Sequence, residues 1–570
     1  MTTPDYLTLL FYLVGLFVIS TVSAKRTTNQ SDMFSAARKS PWWVSGLSGF
    51  MTMFSAATFV VWGGIAYELG LVAVAINTCY GIAALLAGYF VAGRWNRLNI
   101  STPAEFVRLR FGKTGLHFFT WIMLFKRILG VSVSLYALSK LLVALIPLDL
   151  NWAIILFGSI VILYTMQGGL WAVLMTDVLQ FIVLTVLVFM VAVLMIGSVE
   201  NPATFFTTVP DSFFSPTADK YGWFFLCGWV TIHFFMIGAE WAFVQRFLSV
   251  RSPKDARKSA YLFGILYLVT PLFWLLPPLL YRGEVSGADK EQAYILAAQS
   301  VLPPGALGLM IAAMFSATAS MVSSQLNVFA GVLTNDFFKA LVRPNASDRT
   351  LVLVGRVFTC VLGTLLVATA IIVPQLGGAE KLIVTINNLL VVPLYAPALW
   401  GLFSRKIGIR EMVIVILVSF SVGAVLRFGL AGNPWIVEGD TLYALATYLA
   451  DNTKTVEVLV GVLLPVAMLF AFELLKKEHD KVGSEVIRLM SEPAKPDLEQ
   501  STTQFDPFPV QMVVTSVLIL GGWMFLLGLW QDESRTVLMV FAFILLFLGV
   551  ALRAWLVRRL RPLTTSSDAE

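Results

Sequence analysis

Charged residues are scarce in this chain of 570 residues, where they make up 13% of the total. An average soluble protein has about 25%. A soluble chain of this length would fold into several domains, and this chain has too few charges to cover their surfaces. Its residues are instead 58% hydrophobic, with a mean hydropathy of +0.81. That content suffices for about fifteen membrane spans of about 20 residues each. The composition therefore predicts a polytopic, all-α membrane protein.

Cysteine and histidine are also scarce, with three residues of each. Cys79, Cys227 and Cys360 each lie within an apolar run, which argues against a disulfide framework. The histidines are far apart in the chain, which argues against a metal site built from histidine. A phosphate-binding loop, an HExxH motif and a GxSxG motif are missing as well. The sequence thus predicts neither an ATP-driven pump nor an enzyme.

Apolar runs about 19 residues long locate the predicted spans. They lie at about 5–23, 43–67, 71–92, 117–146, 152–169, 175–198, 222–247, 259–281, 305–334, 351–373, 380–403, 411–431, 455–475, 510–530 and 536–556.

The net charge of +6 reflects topology rather than binding to nucleic acid, because the basic residues lie in short loops between the apolar runs. Alternate loops are basic, near 25–39, 94–113, 246–258, 339–349, 405–410, 476–495 and 558–561. The intervening loops carry only Lys220, Arg282, Lys290, Lys381, Lys454 and Arg535. Basic loops stay in the cytoplasm. We therefore predict an outside N-terminus, a cytoplasmic C-terminus and an odd number of spans.

Three segments follow from the arrangement of the spans. Residues 1–475 are predicted to form a thirteen-span core. Residues 476–509 are charged and contain four prolines, so they are predicted to be a cytoplasmic linker. Residues 510–570 comprise a transmembrane hairpin and a short cytoplasmic tail. The hairpin has almost no internal polar group, which predicts a packing role or contact with a partner protein.

Polar residues within apolar runs are expensive in a bilayer unless they are paired or functional. Ser320, Ser323 and Ser324 follow the spacing i, i+3, i+4, so they share one helical face. Their hydroxyl oxygens suit a hard cation such as Na⁺. Small hydroxyl residues also allow helices to pack closely and to hydrogen-bond across the interface. The spacing alone favours this packing role and leaves the cation site as the alternative.

Four further polar residues lie inside predicted spans. Asp177 begins the sixth span, where it could be stabilised by the helix dipole or complete a cation site. His233 lies in an apolar helix, where hydrogen-bonded packing is the commoner role. Lys126 and Arg127 are expected to reach the cytoplasmic surface or to pair with a carboxylate.

Four motifs in this chain resemble those of the sodium/solute symporter family, whose members carry proline, sugars, sialic acid, pantothenate and other small solutes. The motifs are Pro41-Trp42-Trp43, Gly168-Gly169-Leu170 with Thr176-Asp177 and Gln180, Val244-Gln245-Arg246, and Ser320 through Thr334-Asn335-Asp336. The resemblance implies the LeuT-type fold, with two inverted five-helix repeats at about 43–198 and 222–403. The broken helices would be span two, around 50–55 and 63–64, and span seven, around 233–238.

The resemblance also implies two sodium sites. One, found in the proline and sialic acid branches, matches Asp177, Ser320, Ser323 and Ser324, and every oxygen ligand is present. This set includes the serines that the helical spacing selects, so we favour a cation site there. The other site would use carbonyl oxygens matching Met51, Phe54 and Ala317, together with Ser320. Its second hydroxyl position is Met321, whose thioether is a poor ligand for a hard cation. That second site is expected to be weak.

Four residues match or adjoin positions that contact the solute in the sugar-carrying branch. They are Thr58, His233, Met236 and Tyr267. In that branch the matches to the last three are Asn, Tyr and Lys, so the sequence does not identify the solute.

The sequence therefore predicts a secondary active transporter in the cell membrane, surrounded by the lipid bilayer. It would couple the symport of a small polar organic solute to Na⁺ by alternating access, with no partner nucleic acid. The alternative is a sodium-independent carrier of the same fold, proton-coupled or uncoupled, or a transporter-like sensor. Met53, Met321 and His233 motivate this alternative, because a midplane histidine can titrate near neutral pH.

Overall fold

The protein is described by a computed structural model that is almost wholly helical. The residues that it describes are 1–24, 38, 40–100, 102–165, 170–199, 205, 207–218, 220–431, 433, 435–436, 438, 441–477, 480–491, 507–531 and 535–560. We number the helices in chain order: α1 (Thr3–Ala24), α2 (Trp42–Met53), α3 (Thr58–Leu69), α4 (Val72–Arg97), α5 (Pro103–Val143), α6 (Leu150–Thr165), α7 (Leu170–Ser198), α8 (Trp223–Ala239), α9 (Trp241–Leu248), α10 (Pro253–Glu284), α11 (Ala293–Val301), α12 (Ala306–Lys339), α13 (Asp348–Ile372), α14 (Gly378–Trp400), α15 (Ile409–Leu430), α16 (Tyr443–Asp451), α17 (Thr453–Leu475), α18 (Lys481–Ser491), α19 (Phe508–Trp530) and α20 (Arg535–Leu560).

The number of membrane spans is eleven to thirteen within the described part of the chain. Eleven helices are long and apolar enough to cross a bilayer, and two bent helix pairs raise the number to thirteen. The two other predicted spans coincide with α1 and with α6, a shorter apolar helix. The polytopic helical architecture is thus confirmed, whereas the total of fifteen spans stays a prediction.

Helix ends follow local sequence signals. Thr102 accepts a hydrogen bond from the backbone N–H of Glu105 at 3.2 Å, and Pro103 occupies the first helical position of α5. Within α5, Gly112 has a φ of +74°, which favours glycine and kinks the helix. The kink separates a short amphipathic segment from the predicted span at 117–146.

Two breaks interrupt the spans that the sequence predicts to be broken. Helices α2 and α3 meet at 60° across residues 54–57, which overlaps the predicted break at 50–55. At 63–64 the chain passes from π-helix to α-helix without a break. Helices α8 and α9 meet at 55°. The prediction for span seven is wrong in its position, because 233–238 is helical and the extended residue is Glu240, with φ −70° and ψ 133°.

Helix α12 forms the centre of the core. It contacts α1, α5, α6, α7 and α13, and nearly all side chains along its first seven turns are buried. At the N-terminus of α12, the N–H groups of Gly305 (2.7 Å) and Gly308 (3.0 Å) donate hydrogen bonds to the Asp5 carboxylate of α1. A Cβ at Gly308 would lie 2.1 Å from the carbonyl oxygen of Asp5, so glycine permits this close approach.

The C-terminal hairpin of α19 and α20 packs against α1 and α7. The indole N–H of Trp523 donates to Thr8 Oγ1 at 3.0 Å, and the same ring stacks on Phe11 with centroids 4.6 Å apart. Within the predicted linker 476–509, residues 481–491 form α18, and Asp480 pairs with Arg110 of α5. The prolines at 493 and 496 lie outside the described residues.

Candidate ion and solute site

Asp177 is a carboxylate buried within α7, with 3% of its surface exposed. Helix α7 begins at Leu170, so Asp177 lies two turns inside it rather than at its N-terminus. The Ser320 hydroxyl donates to Asp177 Oδ1 at 2.9 Å, and the Ser48 hydroxyl donates to Oδ2 at 2.5 Å. Asp177 therefore joins α2, α7 and α12 at one buried polar cluster. Gly168 and Gly169 of the same motif lie outside the described residues.

Arg246 of α9 is the cation that faces this carboxylate. Its Nη2 lies 3.7 Å from Asp177 Oδ2, and its Nε–H donates to Ser48 Oγ at 3.1 Å. The Arg246 Nη1–H group donates a third hydrogen-bonding contact to the carbonyl oxygen of Ala242 at 2.8 Å. Asp177 and Arg246 carry opposite charges, so the cluster is electrically balanced.

The other predicted serines lie along the same face of α12. Ser323 is buried and donates to the carbonyl oxygen of Ser320 at 3.0 Å. Ser324 is half-buried, and its hydroxyl makes no hydrogen bond to Asp177 in the described part of the chain. One turn before Ser320, Ser316 Oγ accepts from Gln180 Nε2 at 2.6 Å. The structure thus brings Asp177 into contact with Ser320 and places Ser323 and Ser324 beside them.

Two residues of the second predicted sodium site lie where α2 ends. Met51 and Phe54 are buried, and the Met51 carbonyl accepts a hydrogen bond from the Phe54 N–H at 3.1 Å. Two residues further on, the Ala56 N–H donates to Thr318 Oγ1 at 3.0 Å, which brings this break against α12 beside Ala317. Met321 is half-buried and packs against the apolar core.

The first cluster fits a hard cation better than the second. Asp177 and the neighbouring serines supply a carboxylate and hydroxyl oxygens, which are the donors that such ions prefer. The second set offers neutral oxygens, and the position expected to supply its second hydroxyl is occupied by the Met321 thioether. Among the described residues, no group of three or more His, Cys, Asp or Glu side chains could hold a metal ion.

An aromatic cluster contains two of the four predicted solute residues. His233 is buried, and its Nδ1 is hydrogen-bonded to the carbonyl oxygen of Trp229 at 2.8 Å. The ring of Tyr80 lies between His233 and Tyr267, with centroid distances of 4.0 and 5.4 Å. Thr58 Oγ1 accepts from a backbone N–H at the break after α2, at 3.3 Å. His233 and Tyr267 thus share one cluster, and Thr58 lies at the neighbouring break.

Glu240 forms a second buried ionic cluster at the break between α8 and α9. Lys126 Nζ lies 3.6 Å from Glu240 Oε2, and Arg127 is in contact with Oε1. The Tyr395 hydroxyl donates to Oε2 at 3.3 Å. Met236 also reaches this cluster, with its sulfur 4.0 Å from Lys126 Nζ. Of the two roles expected for Lys126 and Arg127, the structure shows pairing with a carboxylate.

Sequence reasoning missed several members of these clusters, among them Ser48 and Glu240. Ser48 precedes Met51 by one helical turn, so its position on the face of α2 was a usable signal. Glu240 was harder to find, because its partners are more than one hundred residues away in the chain. The only local signal was a carboxylate between two apolar segments.

The sequence is similar to a known protein family and to characterised members of it. Residues 33–410 match the model of the Sodium:solute symporter family. A sodium/glucose cotransporter of Vibrio parahaemolyticus is 28% identical over 455 residues, which cover 73% of this chain and 82% of that protein. A sodium/sialic acid symporter of Aliivibrio fischeri is 25% identical over 451 residues, covering 74% of this chain and 86% of that protein.

A solved structure has the same fold. The substrate-bound, outward-open structure of a Na⁺-coupled sialic acid symporter aligns with a TM-score of 0.64 at 22% sequence identity. The alignment covers 82% of this chain and 98% of that one.

Proposed function

The chain belongs to the sodium:solute symporter family, and we propose that it imports a small polar organic solute by alternating access, with Na⁺ bound at Asp177. It is a sodium-coupled secondary transporter and an integral membrane protein, not an enzyme. Relatives are named for glucose, sialic acid and proline, so a small organic solute is the expected cargo.

The main support for the ion site is the hydrogen bond from Ser320 to Asp177 at 2.9 Å. It joins two helices that are far apart in sequence. We propose that Na⁺ is held by Asp177, Ser320, Ser323 and Ser324. The Ser320 hydroxyl donates its proton to Asp177, so the lone pairs of its oxygen would be available to the ion. One carboxylate neutralises the charge of one Na⁺, and the hydroxyls replace water. A second ion at Met51, Phe54, Ala317 and Ser320 would be bound weakly.

Arg246 supplies a reason for ion binding to change with conformation. Its guanidinium lies 3.7 Å from the Asp177 carboxylate, where it would repel a cation bound to that carboxylate. Arg246 lies on α9, the half-helix after a break, whereas Asp177 lies on the unbroken α7. Rocking of the broken helices would bring the guanidinium toward or away from the carboxylate. Na⁺ would bind when they separate and leave when they approach.

The wider architecture completes the proposal. Inverted repeats at about 43–198 and 222–403 would rock around a site between the breaks at 54–57 and 240. The thirteen-span core, the outside N-terminus and the cytoplasmic C-terminus follow from the apolar runs and the basic loops. The C-terminal hairpin, whose Trp523 contacts α1, would pack against the side of the core rather than move solute.

Thermal unfolding tests the ion site without knowledge of the solute. The purified protein in detergent is melted against NaCl, with KCl and choline chloride at equal ionic strength. We expect saturable stabilisation by Na⁺ alone, because a ligand that binds only the folded state stabilises it by mass action. Asp177→Asn should abolish this stabilisation. Equal melting in all three salts would favour the sodium-independent carrier or sensor.

A paired variant controls for damage to the fold. Asp177→Asn alone leaves Arg246 buried without its carboxylate, which is destabilising by about 3–5 kcal/mol. Asp177→Asn combined with Arg246→Gln restores charge balance. The double variant should regain stability and still show no response to Na⁺. If the double variant responds to Na⁺ as the parent does, Asp177 is not the ion ligand.

A further inference from the structure

The Glu240 cluster carries one more positive charge than negative charge. Lys126 and Arg127 supply two cations, and among the described residues Glu240 supplies the single carboxylate within salt-bridge distance of either. Lys126 is 3% exposed and Glu240 is 1% exposed, so water does not screen the imbalance. This contrasts with the balanced pair of Asp177 and Arg246.

The remaining neighbours of the two cations do not compensate for the excess charge. Lys126 Nζ has the Met236 sulfur at 4.0 Å and the centroid of the Tyr395 ring at 5.3 Å. Arg127 Nε is buried and has no hydrogen-bond partner among the described residues. A sulfur atom and an aromatic ring attract a cation only weakly compared with a carboxylate. A buried charge without a partner is strongly destabilising, so the excess positive charge of this cluster favours the binding of an anion.

The cluster lies at one helix break, on a helix that also contacts the other break. Glu240 is the extended residue between α8 and α9. Ser134, seven residues after Arg127 on α5, accepts a hydrogen bond from the Ser55 hydroxyl at 3.1 Å. Ser55 belongs to the other break, between α2 and α3. Seven residues are two helical turns, about 10.5 Å, so one face of α5 meets both breaks.

A purely structural role explains the cluster less well. A lysine at the end of a span extends its ammonium to the aqueous surface. The Lys126 ammonium instead lies within 4.0 Å of Met236, on the helix that carries His233. For a structural ion pair, Arg127 and Glu240 would suffice and would be neutral. The second cation has a use only if another negative charge arrives.

We propose that the transported solute is an organic anion whose carboxylate group pairs with Lys126 and the free edge of Arg127. This inference rests on the proposed function, because it assigns the charge of the solute at the same site. Glu240 holds the two cations in place, and the anion completes the charge balance. The aromatic cluster around His233 and Tyr80 would contact the uncharged part of the solute.

The test measures binding of matched pairs of probes that differ by a carboxylate. The pairs are glucuronate with glucose, N-acetylneuraminate with N-acetylmannosamine, and lactate with propane-1,2-diol. Each probe is titrated into the purified full-length protein in saturating NaCl, at constant ionic strength, and the melting temperature is recorded. We expect the carboxylate of at least one pair to stabilise the protein while its uncharged partner does not. Lys126→Gln should weaken that binding at least tenfold, and Lys126→Arg should retain it.

Lys140→Gln is the matched control, because Lys140 lies on the same helix and pairs with the exposed Asp289 at 2.9 Å. It should leave probe binding unchanged. Without probe, Lys126→Gln should melt no lower than the parent, since Arg127 still pairs with Glu240. A fall of several degrees would assign Lys126 a structural role and overturn the inference.

Three other outcomes would also overturn it: equal binding of an uncharged partner, unchanged carboxylate affinity in Lys126→Gln, or no binding of any carboxylate while Na⁺ still stabilises the protein. Failure of the proposed function looks different, because the stabilisation by Na⁺ itself would then be missing.

Discussion

The Asp177 and Glu240 clusters each hold a buried carboxylate that contacts a broken span, but they differ in charge. Asp177 faces one guanidinium and accepts hydrogen bonds from two hydroxyl groups, so the cluster is neutral and rich in oxygen. Glu240 faces two cations and one phenol, so its cluster is positive and rich in N–H donors. A neutral set of oxygens gains from a bound cation, whereas a positive set gains from a bound anion. The comparison suggests how one protein can bind an ion and a solute of opposite charge.

The largest expected effect comes from Glu240→Gln. This change leaves two buried cations with no carboxylate, and removing one partner of a buried ion pair costs about 3–5 kcal/mol. We expect a loss of this size in the free energy of unfolding, measured by titration with a denaturing detergent. Lys126→Gln added to this variant should recover part of the loss, because it removes one of the stranded charges.

Glu291→Gln is the matched control for this prediction. Glu291 accepts hydrogen bonds from neutral donors, the Tyr136 hydroxyl at 2.6 Å and the Ala379 N–H at 3.0 Å. Its amide variant should lose about 1 kcal/mol. If Glu240→Gln lowers the free energy of unfolding by no more than this control does, Glu240 does not stabilise the two cations. The proposed difference in charge between the two clusters would then be wrong.

The sequence allowed the fold and one cluster to be anticipated, for a physical reason in each case. A bilayer requires long apolar helices, so hydropathy alone located the helices. Ser320 and Ser323 lie close in sequence, so helical spacing placed them together, and the family resemblance linked them to Asp177. The Glu240 cluster depends on packing of α5 against the break between α8 and α9. No local pattern predicts that contact, and the break itself lies beyond the predicted position.

Arg246→Gln tests whether the charge of Arg246 opposes Na⁺ binding at the Asp177 cluster. The change removes the cation that lies 3.7 Å from the carboxylate, so Na⁺ no longer competes with it. We expect Na⁺ affinity to rise about tenfold, equivalent to about 1.4 kcal/mol. The midpoint of Na⁺-dependent thermal stabilisation measures this change. Arg246→Lys keeps the charge and should leave the midpoint near that of the parent; a midpoint shifted equally by both variants would mean that charge competition is not the cause.

Asp5→Ala tests whether a buried carboxylate at α12 affects Na⁺ merely by contacting that helix. Asp5 accepts four hydrogen bonds, from the N–H groups of Gly305 and Gly308 and from the N–H and hydroxyl of Thr2. Loss of such a cap costs about 1 kcal/mol. The melting temperature should fall while the Na⁺ midpoint stays unchanged. A weakened Na⁺ response would show that the Asp177 variants report on the packing of α12 rather than on an ion ligand.

Met321→Ser should have the smallest effect, because it adds one oxygen to a set that lacks a carboxylate. The new hydroxyl would follow Ser320 on α12, near the break where the Met51 carbonyl lies. We expect about a threefold gain in Na⁺ affinity, or a second Na⁺ per solute in flux measurements with labelled sodium. Met321→Ala removes the same bulk without adding an oxygen and should give neither gain. Equal behaviour of the serine and alanine variants would mean that no second ion approaches position 321, and Asp177 would then be left as the site of a single coupled ion.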